Sequence, residues 1–257
     1  MHTAIGNRKG CDTVQQGLYE IIENSALADS VMRMRLQGDT SAITAPGQFV
    51  NIRLNGLFLR RPISVCDIEA DVLTIIYKVV GHGTAQMRAC LPGQTLDLLT
   101  GLGNGYDLSC AGDAPLLLGG GVGVPPMYLL ARRLREAGKQ VQVVLGFNTA
   151  SEVFYEDEFR RLGCGVTVTT ADGSYGKKGF VTDALPEAYS HFYACGPEPM
   201  LKAVCRATKT PGQLSFERRM GCGFGACMGC SCKTITGNKR ICREGPVMRK
   251  EEILWED

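Results

Sequence analysis

The 257-residue sequence predicts a multi-domain β plus α/β protein: an N-terminal antiparallel β-barrel, a central parallel-sheet nucleotide-binding domain and a small C-terminal metal-binding domain. Three observations predict it. Up to about residue 107, short alternating or β-branched runs are separated by Gly, Pro and Asn, the rhythm of an antiparallel barrel. Between 108 and 216, apolar strands alternate with helical patterns, the rhythm of βαβ units. From 217 onward, cysteines at ligand spacing replace any long periodic run. The expected domains are therefore 13–107, 108–216 and 217–257.

The first dozen residues are polar and mixed, a lead-in without readable chemistry. From Gln16 to Leu36 the alternation of Val31, Arg33 and Arg35 with Met32, Met34 and Leu36 predicts two antiparallel strands. Further strands are expected at Gly47–Leu54, Arg61–Val65, Val72–Val80 and Thr95–Leu99, with one helix from Thr84 to Leu91, just after Gly81-His-Gly83. Arg60-Arg-Pro-Ile-Ser64 combines a fixed turn with two guanidinium groups, a pair able to clamp a diphosphate, with a plain basic turn as the alternative. Gly81-His-Gly-Thr84 offers a second set of amide donors for anionic oxygens.

In the middle third, Ala114-Pro-Leu-Leu-Leu118 reads as a buried strand, Gly119-Gly-Gly-Val-Gly-Val-Pro125 as a turn, and Met127 to Gly138 as a helix, followed by a strand at Val141–Leu145. A glycine turn between strand and helix can cradle a pyrophosphate, with Gly121 and Gly123 letting backbone approach the ligand. The spacing departs from the dinucleotide fingerprint, because Val124 and Pro125 stand where a third glycine would fall, and a plain tight turn is the alternative. Helices near 154–162, 181–185 and 198–208 alternate with strands at 166–170, 191–195 and 213–217. Cys195-Gly-Pro-Glu-Pro-Met200 closes one of these strands, which puts Cys195 at the carboxyl edge in the crevice of the glycine turn, a buried cysteine packing as a small hydrophobe being the alternative. Strand Val141–Leu145 runs into Gly146-Phe-Asn148 with neither an acidic residue for a ribose diol nor an arginine for a 2′-phosphate.

Cys222, Cys227 and Cys230 are spaced C-x4-C-x2-C, and Cys242 follows after eleven residues, the plant-type [2Fe-2S] ligand arrangement. The interleaved glycines at 221, 223, 225 and 229 suit a loop that must bend three thiolates around a small cluster. A structural zinc site is the alternative, but such sites favour paired C-x2-C knuckles and only one such pair occurs. The remaining cysteines, including Cys232, read as packing or incidental thiols, and His2, His82 and His191 are too isolated for a histidine metal site.

Composition excludes several classes. A net charge of +2 without a basic block argues against nucleic acid and against a membrane surface. Twelve cysteines without a charged start followed by an apolar core point to a reducing cytoplasm rather than a disulfide-stapled secreted protein. The uncharged stretch Ala114–Ala131 is broken by Pro115, Pro125, Pro126 and four glycines, so no spanning helix is expected.

Together these residues give the chain a resemblance to the iron-sulfur electron-transfer subunits of B-type dihydroorotate dehydrogenases, within the ferredoxin reductase superfamily. It rests on Arg61-Pro-Ile-Ser64, Gly83-Thr84, Leu102-Gly-Asn-Gly105, the Gly119 turn, Cys195-Gly-Pro-Glu-Pro-Met200, Glu217–Cys230, Cys242 and Gly245-Pro-Val247. The resemblance implies FAD in the barrel, with Arg61 on its diphosphate, Pro62, Ile63 and Ser64 along the isoalloxazine and ribityl chain, and Ile76, Tyr77, Lys78, Gly83 and Thr84 around the remainder. It implies NAD in the α/β domain, with Gly121 and Gly123 at the pyrophosphate and Cys195 and Gly196 near the nicotinamide. It also implies a partner, an FMN-containing catalytic subunit, in a two-plus-two heterotetramer. The sequence departs from the broader reductases in ending Trp255-Glu-Asp257, without a terminal aromatic residue to cover the flavin.

The expected function is electron transfer from the partner's FMN through the [2Fe-2S] cluster and FAD to NAD+, in the oxidation of dihydroorotate to orotate for pyrimidine biosynthesis. No dyad or triad that could handle dihydroorotate is found, so no catalytic residue is assigned. Two other readings use the same motifs: a stand-alone NAD(P)H-dependent iron-sulfur flavoprotein reductase serving another redox partner, and a metal-stabilised interaction module with an unused nucleotide fold.

Overall fold

The computed structural model describes residues 14–255; the lead-in, with His2 and Cys11, lies outside the described residues. Six strands, β1 (Gln15–Ala28), β2 (Val31–Gln37), β3 (Phe49–Ile52), β4 (Arg61–Glu69), β5 (Val72–Lys78) and β6 (Thr95–Leu102), close into a barrel in the order β1-β2-β5-β4-β3-β6. Alternation decides which side chains fill it. Ile21, Met34, Leu36, Val50, Ile52, Leu73, Ile75 and Leu98 point inward and are fully buried. Helix α1 (His82–Arg88) caps one end and starts two residues before the expected Thr84. The shift has a local cause: the Thr84 hydroxyl accepts from the Val80 and Gly81 amides at 2.9 and 3.2 Å, so Thr84 acts from inside the first turn.

The central sheet is built from β7 (Leu116–Gly120), α2 (Val124–Glu136), β8 (Gln142–Phe147), α3 (Glu156–Arg161), β9 (Gly165–Thr170), β10 (Lys177–Lys178), β11 (Phe192–Cys195), α4 (Glu198–Ala207) and β12 (Gly212–Ser215). The helix expected over 181–185 is a single 3-10 turn, Val181–Ala184. Three more strands follow. β13 (Ser231–Thr234) and β14 (Gly237–Arg240) form a hairpin, and β15 (Val247–Arg249) pairs antiparallel with β12. The strand expected to close the sheet is thus an interior one, and the C-terminal segment supplies the edge of the order β10-β9-β8-β7-β11-β12-β15. Succession reverses between β7 and β11, which opens a crevice at their carboxyl ends.

The units share their packing. Phe49 and Leu102 of the barrel, Leu118, Phe192 and Leu214 of the sheet, and Met220, Cys230, Ile241 and Cys242 of the C-terminal segment belong to one buried cluster. Asn104 joins two of the sequence motifs: its Nδ2 donates to the Glu244 and Val247 carbonyls at 3.1 and 2.8 Å, and its Oδ1 accepts from the Val247 amide at 3.1 Å.

Helix α2 lies against β4, and Arg132 Nη2 stands 2.8 Å from Asp67 Oδ1 while donating to the Ile68 carbonyl at 2.6 Å. Burial pushes the Asp67 carboxyl up, and the Arg132 guanidinium opposes it. Arg132→Met would leave this carboxylate buried and unpaired. It is expected to cost about 3 kcal/mol, read as a fall of roughly 6–12 °C in the thermal midpoint; a midpoint within a degree of the parent would show that the pair does not hold the two units together.

Candidate functional site

Three sets of residues converge where barrel, sheet and C-terminal segment meet. On the barrel, Arg61, Pro62, Ile63 and Ser64 open β4 and are all half-buried, which leaves part of each side chain accessible to a ligand. Gly83 lies against the Arg61 guanidinium so closely that a Cβ there would fall 2.2 Å from Arg61 Nε. The arginine therefore crosses the start of α1, and cation and helix-start amides face one region. That is a fitting cradle for a diphosphate.

Not every expected barrel residue points there. Tyr77 faces the barrel interior and donates from its hydroxyl to Asn24 Oδ1 at 3.1 Å, so only its backbone reaches the outer face. Its neighbours Ile76 and Lys78 point outward because strand side chains alternate. Ile76 packs in the cluster that includes Val124, and Lys78 Nζ reaches Glu152 Oε1 of the sheet domain at 2.9 Å. Arg60, expected as half of a guanidinium pair, is turned away: its Nη1 donates to Asp97 Oδ1 at 2.9 Å and to the Asn51 and Asp97 carbonyls. Arg61 is left as the cation of this pair on the binding face.

At the sheet crevice, Gly119 is in register with Cys195. A Cβ on Gly123 would fall 2.2 Å from the Cys195 carbonyl oxygen, so the glycine turn and the Cys195-Gly196 step are in backbone contact. The missing side chain of Gly123 accommodates β11, a demand on this glycine in addition to the expected approach of a ligand to its backbone. Gly121, at φ +52°, has open space where its Cβ would be and is the position at which a ligand can meet bare backbone. Burial pushes the Cys195 thiol up to about 12, although the Ser215 hydroxyl works the other way, so it stands in the crevice as a neutral thiol. Tyr106, buried between barrel and sheet, donates to the Ala194 carbonyl at 3.1 Å and ties the crevice to the barrel.

The four expected cluster ligands form two pairs. Cys230 Sγ and Cys242 Sγ lie 3.3 Å apart, 2% and 1% exposed in the shared apolar core. Cys222 and Cys227 lie on the more exposed side, with the Cys227 amide donating to Cys222 Sγ at 3.4 Å. Burial pushes the Cys222 thiol up, but the amides of Cys227 and Phe224 and the Cys227 thiol outweigh it and bring it down to about 6. Burial, then the Cys230 thiol beside it, pushes Cys242 up to about 12, while the Gly225 amide opposes the shift. Among the described residues no three His, Cys, Asp or Glu side chains gather around a single ion. Two thiol pairs supplied with amide donors are instead what a two-iron cluster takes, one pair for each iron and N–H groups for the sulfurs.

Two features were not legible beforehand. Asn51 of β3 lies between the binding strand and the cysteine loop, its Nδ2 donating to the Cys222 carbonyl at 3.3 Å. The only signal in the sequence was a polar residue between the apolar Val50 and Ile52. Trp255 packs on Phe216 with ring centroids 5.8 Å apart.

Residues 217–254 match the family described as the iron-sulfur cluster binding domain of dihydroorotate dehydrogenase B, and residues 117–206 match the oxidoreductase NAD-binding domain. Two curated relatives named dihydroorotate dehydrogenase B (NAD(+)), electron transfer subunit, are similar over nearly their whole length. The protein of Fusobacterium nucleatum is 42% identical, covering 90% of this chain and 95% of its own. That of Bacillus pumilus is 42% identical, covering 93% and 98%. A solved NADH-dependent reduced ferredoxin-NADP oxidoreductase, described for flavin-based electron bifurcation, has a TM-score of 0.84 at 32% identity, covering 93% of this chain and 90% of that one. A ferredoxin NADP+ reductase from Neisseria gonorrhoeae with bound FAD and NADP shares the fold, with a TM-score of 0.65 at 17% identity over 75% of this chain and 89% of that one. With the two-pair cysteine site, the glycine crevice and the barrel strand all in place, the chain belongs to the family of dihydroorotate dehydrogenase B electron transfer subunits.

Proposed function

We propose that this chain is the electron transfer subunit of an NAD-dependent dihydroorotate dehydrogenase of pyrimidine biosynthesis, carrying FAD and a [2Fe-2S] cluster and joining an FMN-containing catalytic subunit to NAD+. The carrying observation is the convergence of two thiol pairs, a diphosphate cradle and a nucleotide crevice at one junction, in a chain 42% identical to such subunits. Flavin exchanges electrons with a nicotinamide as a pair and a two-iron cluster carries them singly, so the two together connect both modes. The chain's own residues bind and align. Arg61 and the start of α1 hold the FAD diphosphate, with Pro62–Ser64 along its ring and ribityl chain. Gly121 admits the NAD pyrophosphate, and the neutral Cys195 borders the nicotinamide. Cys222, Cys227, Cys230 and Cys242 hold the cluster.

The partner meets the cysteine loop. Phe224 and Met228 are 44% and 60% exposed beside Cys222 and Cys227, whereas Cys230 and Cys242 are turned into the core. Exposed aromatic and methionine side chains are the types enriched at protein interfaces. The assembly is a heterotetramer of two such subunits with two catalytic ones, in a cytoplasm whose reducing poise suits the eleven free thiols among the described residues. The double variant Phe224→Asp, Met228→Glu is expected to weaken binding of the catalytic subunit by about a hundredfold in a titration, with NADH-dependent reduction of the FAD unchanged. Wild-type affinity would remove this face from the interface.

Reconstitution tests the division of labour. The purified chain is expected to show flavin and cluster absorption and to reduce NAD+ with dihydroorotate only once the FMN subunit is added. Turnover by this chain alone would overturn it. A second reading, a reductase serving another redox partner, draws on the oxidoreductase that is 32% identical over 93% of this chain. Copurification from the native host separates the two by the partner recovered.

A further inference from the structure

We infer that Asn51 is a positioning residue that ties the cysteine loop to the flavin-binding strand and so sets the separation across which electrons pass. The inference rests on the reading that FAD lies along Pro62–Ser64 and the cluster on Cys222 and its partners.

The geometry is specific. Asn51 is 1% exposed and stands directly opposite Pro62 in the β3–β4 pairing. Residues opposite each other in antiparallel strands project to the same face, their Cβ atoms about 4.5–5.5 Å apart. Val50 and Ile52 point into the barrel core, so Asn51 projects outward beside Pro62. From there its Nδ2 donates to the carbonyl of Cys222, a main-chain atom of an expected ligand, at 3.3 Å. The loop is shaped to receive this amide: a Cβ on Gly223 would fall 2.1 Å from Asn51 Nδ2, and Gly223 sits at φ +79°. One carboxamide thus touches the loop that carries three of the four expected ligands and flanks the strand that carries the flavin.

Stability does not account for this residue. Its Oδ1 is buried and has no hydrogen-bond partner among the described residues. A half-satisfied carboxamide is worse for a fold than an apolar side chain of the same size. An apolar residue would extend the buried surface begun by Phe49, but it would leave the Cys222 carbonyl without its donor. Asn51 accordingly acts on the relative placement of two sites rather than on the barrel.

The test uses the subunit with FAD and cluster in place. Asn51→Leu keeps the branched shape and removes the donor, and Asn51→Ala removes the donor together with the side-chain bulk. In both, FAD content, iron content and the rate of FAD reduction by NADH are expected to stay within twofold of the parent. Bleaching of the cluster after mixing with NADH is expected to slow by about tenfold or more. Hydrogen exchange of the amides at 222–227 is expected to rise, and the electron paramagnetic resonance line shape of the reduced cluster to change. Parental bleaching rates with unchanged exchange would overturn the inference. Loss of iron with FAD retained would overturn it too, because Asn51 would then be needed to build the cluster site and not to place it. A parent protein lacking flavin or cluster absorption would instead sink the functional reading beneath it.

Discussion

Replacing Cys227 with Ser is expected to abolish dihydroorotate-dependent NAD+ reduction by the reconstituted complex, by at least about a hundredfold, while NADH still reduces the FAD. The asymmetry of the site supports both halves. Cys227 belongs to the more exposed thiol pair, where its amide already serves Cys222, and a serine hydroxyl is too weakly acidic to replace a thiolate on iron. Cys230 and Cys242 lie in the core shared with the sheet, so that core is untouched by the change. The barrel strand and the glycine crevice do not contain residue 227, and the nicotinamide-to-flavin half has no reason to fail. The measurement is a paired assay, dihydroorotate to NAD+ in the complex and NADH to an artificial dye on the subunit. Unchanged coupled activity would refute the relay.

Gly83→Val is expected to weaken FAD binding by about a hundredfold, the loss of roughly 3 kcal/mol from two charge-assisted hydrogen bonds. The substitution does not touch the ligand's place directly. It acts because any Cβ at this position collides with Arg61 Nε, which must then leave the start of α1. Arg61→Ala should therefore produce a similar loss, and the double variant little more than either alone, since both remove one interaction. Flavin fluorescence titration of the apoprotein reads the affinities, and iron content, expected unchanged, reports that the cysteine site is intact. Affinities within twofold of the parent in both single variants would take the diphosphate away from Arg61.

Legibility followed the kind of signal. The cysteine spacing could be read because ligand geometry is imposed locally, by one short loop and one later residue. The barrel and βαβ rhythms could be read because alternation and apolar runs are properties of the strand itself. The local pattern did not tell Arg60 from Arg61, and only the resemblance singled out Arg61, since adjacent residues leave on opposite sides and nothing local says which side holds Asp97. The same holds for Tyr77: its place in the run was legible, but not that its side chain turns into the barrel interior and leaves only its backbone to the outer face. That Gly123 is also spaced for the Cys195 carbonyl could not be read, because the contact spans more than seventy residues of sequence.

The chemistry was thus determined by the sequence: four thiols at cluster spacing, a cationic strand start and a glycine turn between strand and helix. What only the tertiary structure decided is how these are joined. β15 is a three-residue strand with no periodicity of its own, and it becomes one only because β12 offers an unpaired edge. Asn104 and the Glu244–Val247 backbone meet across 140 residues, and Asn51 meets Cys222 across 171. Hydrogen bonds of that range depend on where whole elements pack, and the packing is set by the core that barrel, sheet and cysteine segment share.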